Sequence, residues 1–319
     1  MVELDLKDRK LLYELDLDSR QPVRELARKV GLSKDSAAYR IDRLCKSGVI
    51  KRFQTLVDVG KLGYISFRLL LKLQNVTPRK EAEIISFLKS DRRVAWIVSV
   101  EDGWDINTWI VCRSVSEMND FWKELMRKYR NYIDRHWFSI YTKVVYFSKN
   151  YLCEGQRKGF VFISEPTRNE LDDKSGQILR LLVLNSRISS VEIAEKVGVT
   201  TKTVISKIRQ MEKEKLISCY RLVIDLDRIG YKYYKLHIKL HNLTPEKEQS
   251  LRVFISSHPN VVYTDEVLGG EDAEVELHVR DVEELRDFIS HLKEKFAGII
   301  RTYDLMLYYK EHKYIGLPV

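Results

Sequence analysis

The chain has 319 residues, 44% hydrophobic and 32% charged, with a formal net charge of +9. Such a chain buries more than one core and has the composition of a globular protein rather than a fibrous or disordered one. No apolar run approaches the ~18–20 residues of a membrane helix: the stretch Ile65–Leu73 is broken by Arg68 and Lys72, and the N-terminus MVELDLKDRK has no apolar signal core, which points to the cytoplasm.

The first predicted helix carries Leu11, Leu12 and Leu15 after Asp8. Pro22 suits the first turn of a second helix, with Leu26, Ala27 and Val30 on its core face and Gly31 as left-handed terminator. Ser33 caps a third helix, which turns Ala37, Ile41 and Leu44 inward and ends at Gly48. A strand pair around Ile50–Val57 is expected as a wing. Two short helices joined through a glycine turn, the second capped and rich in basic groups, form a helix-turn-helix, so double-stranded DNA is the expected partner.

Ile65–Leu73 follows as a strand, and Thr77-Pro78 opens a helix across Glu81–Lys89. Val94–Val100 and Ile106–Val111 read as strands around the turn Glu101–Asp105. Val115–Tyr129 is a helix and Ile133–Phe147 a last strand. The order β-α-β-β-α-β is a ferredoxin-like unit with one sheet face left for a partner. Residues 151–170 read as a linker, partly docked, with Phe160–Ile163 as a short strand.

The series then repeats at a constant offset of 167: Gly31 returns as Gly198, Gly63-Tyr64 as Gly230-Tyr231, Thr77-Pro78 as Thr244-Pro245, and Asp105 as Asp272. The fold class is therefore α+β, a tandem duplication of a winged helix-turn-helix followed by a ferredoxin-like domain. The expected boundaries are 1–60 and 61–150, the linker 151–170, then 171–228 and 229–312, with 313–319 as a tail. The copies have diverged. Residues 1–150 hold 29 Lys+Arg against 20 Asp+Glu, whereas residues 151–319 hold 26 of each. Cys45, Cys112, Cys153 and Cys219 form no C-x-x-C pair and do not recur between copies, which speaks for reduced thiols rather than a metal or disulfide framework.

Each copy resembles the leucine-responsive/asparagine regulator (Lrp/AsnC) family of transcription factors. The resemblance rests on Leu4–Leu12, on Glu25-Leu26-Ala27 with Gly31-Leu32-Ser33, and on Arg40–Leu44 running to Gly48-Val49-Ile50. It continues through Phe53–Asp58 and Leu62-Gly63-Tyr64. Members carry one copy per chain and dimerise through the effector domain, so this chain looks like a fused pseudo-dimer, with a homo-oligomer expected beyond it. The resemblance places Lys34, Ser36, Tyr39, Arg40 and Arg43 of copy 1 at the DNA, together with Thr201, Lys202, Thr203, Ser206 and Lys207 of copy 2. The two effector domains are expected to pair through their open sheet faces.

The family's small-molecule turn corresponds to Gly269, Gly270 and Asp272, with Asp105 at the matching place in copy 1, and implies an amino-acid effector. Copy 1 departs from the pattern, carrying Asp102 where copy 2 has Gly269. Two other readings stand beside this one. Siroheme decarboxylases are similar proteins and depend on a His-Asn-Tyr-Arg-type stretch. The corresponding segments here are Trp96–Ser99 and Tyr263–Glu266, without histidine or arginine. His237 and His241 fall on one strand face, and no catalytic cluster, metal site or cofactor is expected. An architectural DNA-wrapping protein is the third reading.

Overall fold

The computed structural model describes residues 2–167 and 171–317. Copy 1 begins with α1 (Leu6–Leu17), α2 (Val23–Val30) and α3 (Lys34–Lys46), then β1 (Ile50–Val57). Its second part is β2 (Ile65–Leu73), α4 (Pro78–Ser90), β3 (Val94–Glu101), β4 (Ile106–Cys112), α5 (Val115–Tyr129) and β5 (Ile133–Phe147). The connecting segment contributes β6 (Gly159–Ile163). Copy 2 repeats the order as α6 (Asp173–Leu184), α7 (Ser190–Val197), α8 (Thr201–Lys213), β7 (Ile217–Ile224), β8 (Lys232–Leu240), α9 (Pro245–Ser257), β9 (Val261–Leu268), β10 (Ala273–Val279), α10 (Val282–Phe296) and β11 (Ile300–Tyr314). Among the described residues no helix is long and apolar enough to cross a membrane.

The wing differs from the expected local strand pair. β1 is a single strand, and its partner is β7 of the other copy, antiparallel, with Gln54 opposite Arg221. Those two positions are equivalent in the repeat, so a pseudo-two-fold axis passes between them. A second contact marks the same axis: Ser19 Oγ and Ser186 Oγ lie 2.6 Å apart. Around it Arg20 donates to the Ser186 carbonyl and Arg187 to the Ser19 carbonyl. Each helical core is closed by the other copy. Leu222, Ile224 and Ile229 pack onto the Leu11–Leu15 and Leu26–Leu44 cluster, while Val57 and Leu62 pack onto the α6–α8 cluster.

The ferredoxin-like halves do more than face each other. Copy 1 has strand order β5-β2-β4-β3 and copy 2 has β11-β8-β10-β9. The edges then join, β3 to β11 and β5 to β9, so that eight strands form a closed antiparallel ring with β6 outside it on β5. Closure satisfies edge hydrogen bonds that open sheets leave exposed. The helices pack on the outer surface over two separate apolar cores. The expected face-to-face pairing is therefore realised as the inside of a barrel.

That interior is polar. Arg68 and Lys235 occupy equivalent positions of the repeat and are both fully buried. Arg68 pairs with Glu274, and Lys235 with Asp265, Glu274 and Glu276. The acids all come from copy 2; copy 1 has Val98, Asn107 and Trp109 at the matching places. Divergence has made the halves complementary, because a buried charge is tolerated only when paired. His237 belongs to this interior, 3.4 Å from Glu274, while His241 lies beyond the end of β8 and is exposed; the two histidines do not act together.

The described part of the segment between the copies is held to both of them. Tyr13 Oη donates to the Gln156 carbonyl at 2.7 Å, and Arg157 Nη2 to the Val261 carbonyl at 2.6 Å. The last strand runs past the expected boundary at residue 312, through Tyr314, and Lys313 Nζ donates to the carbonyls of Lys89 and Asp91 of copy 1. Cys112 and Cys219 are buried thiols, Cys45 and Cys153 partly so.

Candidate nucleic-acid interface

The helix-turn-helix of copy 1 forms because its caps leave little choice. Gly31 ends α2 at φ 71°, a left-handed conformation that a β-carbon penalises. Ser33 then accepts from the Ser36 amide at 3.1 Å and starts α3. Ala37, Ile41 and Leu44 are buried, which turns Lys34, Asp35, Ala38, Tyr39 and Asp42 to solvent. In copy 2, Gly198 ends α7 at φ 70° and Thr200 accepts from the Thr203 amide at 3.1 Å. Val204, Ile208 and Met211 are buried, and Lys202, Ile205, Ser206 and Arg209 face outward.

The sequence-predicted DNA residues fall into two groups. Lys34, Tyr39, Lys202 and Ser206 are exposed, with Ser36, Thr201 and Thr203 half-buried at the helix starts. Arg40, Arg43 and Lys207 have partners within the protein. Arg40 Nη1 lies 2.7 Å from Asp5 and 2.9 Å from Asp8, and Arg43 also reaches Asp8. Lys207 Nζ lies 2.7 Å from Asp172 and 3.1 Å from Ser175 Oγ. The Lys207 hydrogen bond, helped by Ser175, holds the Asp172 carboxyl well below the usual carboxylate range. At equivalent positions of both copies, then, a cation ties the recognition helix to the start of the first helix and fixes its angle.

Arg209 is a residue the sequence reading passed over. It lies seven positions beyond Lys202, two helical turns along the same face. Its equivalent in copy 1 is Asp42, and that of Lys202 is Asp35. At these two matching positions α8 carries cations where α3 carries carboxylates, although α3 also exposes Lys34, Arg43 and Lys46, and Lys46 pairs with Asp42 at 2.7 Å.

At the hairpin turns, Asp102 takes φ 71° where Gly269 takes φ 77°. Asp105 accepts from the Leu73 amide and pairs with Lys72 at 2.9 Å. Asp272 accepts from the Leu240 amide at 2.7 Å. A β-carbon on Gly270 would come within 2.0 Å of Val267 Cγ2.

Two capped helix pairs with exposed second helices, held across a pseudo-two-fold axis, define a DNA-binding protein of the tandem helix-turn-helix class. Residues 4–51 match a winged helix-turn-helix DNA-binding model, and residues 171–212 match an AsnC-type helix-turn-helix domain. The helix-turn-helix transcriptional regulator FL11 of Pyrococcus horikoshii is 30% identical over 120 residues, 38% of this chain and 78% of that protein. A second regulator of that organism, PH1692, is 32% identical over 126 residues, 39% of this chain and 83% of that protein. The chain belongs to the Lrp/AsnC family of helix-turn-helix transcriptional regulators. Its fold also resembles the crystal structure of the siroheme decarboxylase NirDL, with a TM-score of 0.63 and 15% identity over 97% of this chain and 93% of that one.

Proposed function

We propose that this regulator is sequence-selective and reads two unlike half-sites, with α8 as the principal contact. The carrying observation is the contrast at four matching outward positions: Lys202, Ile205, Ser206 and Arg209 on α8 against Asp35, Ala38, Tyr39 and Asp42 on α3. Phosphates attract the first set and repel the carboxylates of the second. Thr201 and Thr203 join the α8 contact, while Lys34, Ser36 and Tyr39 supply the weaker contact of α3. Arg40, Arg43 and Lys207 serve by setting helix angle and adding positive potential. Two linked helices bind as one bivalent unit. Operator symmetry mirrors protein symmetry, so selection from random DNA should return an asymmetric site, and recovery of a strict inverted repeat would sink the proposal.

An amino-acid effector at the Gly269–Asp272 turn would be held by backbone amides of Gly269 and Gly270, since Asp272 and its equivalent Asp105 are engaged by their own chain. Titration calorimetry with the amino acids tests this, and assembly of chains into a larger oligomer is tested by solution mass. We infer no catalytic role: the relatives are named regulators, and the β3 and β9 segments Trp96–Ser99 and Tyr263–Glu266 lack histidine and arginine. A Soret band arising on titration with siroheme would overturn this. A wrapper of bulk DNA is separated from a selective regulator by the ratio of specific to non-specific affinity, ~10³ or more for the latter.

A further inference from the structure

A cavity of about 260 Å³ lies where the barrel meets the β1–β7 ribbon, near the lower end of the ~300–1,000 Å³ of small-molecule sites. Arg221 lines it from β7 and is 8% exposed. Its Nε donates to Gln54 Oε1 at 3.1 Å. Its guanidinium lies 4.6 Å from the ring centroid of Tyr146 and 5.3 Å from that of Tyr263. Among the described residues no carboxylate forms an ion pair with it. The other buried cations all have one: Lys149 meets Asp16, Arg68 meets Glu274, and Lys235 meets three acids. The carboxylates lining the cavity are already engaged, Asp265 and Glu276 by Lys235, Asp225 by Lys51, Asp227 by Lys232 and Glu311 by Arg52.

A buried guanidinium is always charged and costly without an anion, and cation–π contacts offset only part of that cost. Trp109, 5% exposed, lines the same cavity, and its indole N–H has no acceptor. The position of Arg221 adds a reason. It is the equivalent of Gln54 and pairs with it at the pseudo-two-fold axis. Two identical chains would place two arginines or two glutamines there. The fused chain places a single cation.

We propose that this cavity binds a small organic anion, a carboxylate or phosphate ester on a planar ring, with Arg221 as its counter-ion. Trp109 donates to the anion or a ring substituent, and the aromatic walls hold the ring. The cavity floor is the ribbon whose strands follow α3 and α8 directly, so occupancy acts on the placement of both recognition helices.

The test is thermal melting and titration calorimetry of the full chain without DNA, using benzoate and phenyl phosphate, with acetate and inorganic phosphate as ringless controls. Saturable stabilisation by benzoate or phenyl phosphate, and not by the controls, is the expected result, and the stronger of the two identifies the oxyanion. Arg221→Met should weaken binding about tenfold or more, the loss of one charge-assisted contact. Trp109→Phe should weaken it by a smaller factor, and Arg221→Lys carries the test if Arg221→Met does not fold. No saturable binding of either ring-bearing probe at millimolar concentration overturns the proposal. So does equal response to the controls, or unchanged affinity in the folded variants. Because DNA is absent, this outcome is independent of the operator reading.

Discussion

Replacing Glu274 by glutamine should destabilise the barrel by about 3–5 kcal/mol, the cost of removing one partner from a buried ion pair. Glu274 is 1% exposed. Its carboxylate meets Arg68 Nη2 at 2.6 Å and Lys235 Nζ at 2.9 Å. Burial alone pushes this carboxyl up; Lys235 and then Arg68 outweigh it and hold it well below the usual carboxylate range. Glutamine keeps the shape and removes the charge. Lys235 retains Asp265 and Glu276, but Arg68 loses its carboxylate partner among the described residues. For a unit of this size each kcal/mol moves the melting temperature by about 2–4 °C, so the Tm should fall by about 6–20 °C at neutral pH, followed by circular dichroism. The double variant Arg68→Met with Glu274→Leu removes both charges and should recover most of the loss. A fall below about 2 °C for Glu274→Gln, or a double variant no better than the single one, would refute the reasoning.

Lys202→Ala with Arg209→Ala should reduce operator affinity and lower the salt slope by about 2, one unit per phosphate contact; an unchanged slope in a titration series would remove both residues from the interface. His258 is held down to about 4, first by burial and then by Arg157. Its folded pKa lies below the unfolded 6.5, so its stabilising effect is complete above pH 6.5 and is lost as pH falls toward 4, up to about 3 kcal/mol. His258→Asn should flatten that part of the stability profile measured by denaturant titration. Gly270→Ala should cost about 1–3 kcal/mol by overpacking against Val267. At the equivalent Gly103, where φ is 82° and no atom lies within 4 Å, alanine should cost only the left-handed penalty of about 1 kcal/mol; melting curves in the opposite order would contradict this.

The local structure was legible because its signals are local. Gly31, Ser33, Gly198 and Thr200 punctuate the helix pairs by backbone conformation and capping, and those determinants lie within a few residues of what they control. The β1–β7 pairing and the two seams of the barrel were not legible, because edge hydrogen bonds are made by backbone groups that every sequence carries. Arg68 stood out within an apolar strand, yet nothing near it in sequence names Glu274, 206 residues away. Arg40 shows the same limit on a helix. A basic residue beside a recognition face reads alike whether it meets a phosphate or Asp8. Arg209 was within reach, since its spacing from Lys202 places both on one face.

The distribution of charge inside the barrel makes each half specific for the other. A lone first half joined to its like would set Arg68 against Arg68, with Asn107 in place of Glu274. A lone second half would gather two sets of Asp265, Glu274 and Glu276 around two lysines. The same residues that suit one half to the other unfit it for its own kind. Either half alone would therefore lack the charges that complement its own barrel interior, and the two halves are bound to each other by side-chain charge as well as by the chain that joins them.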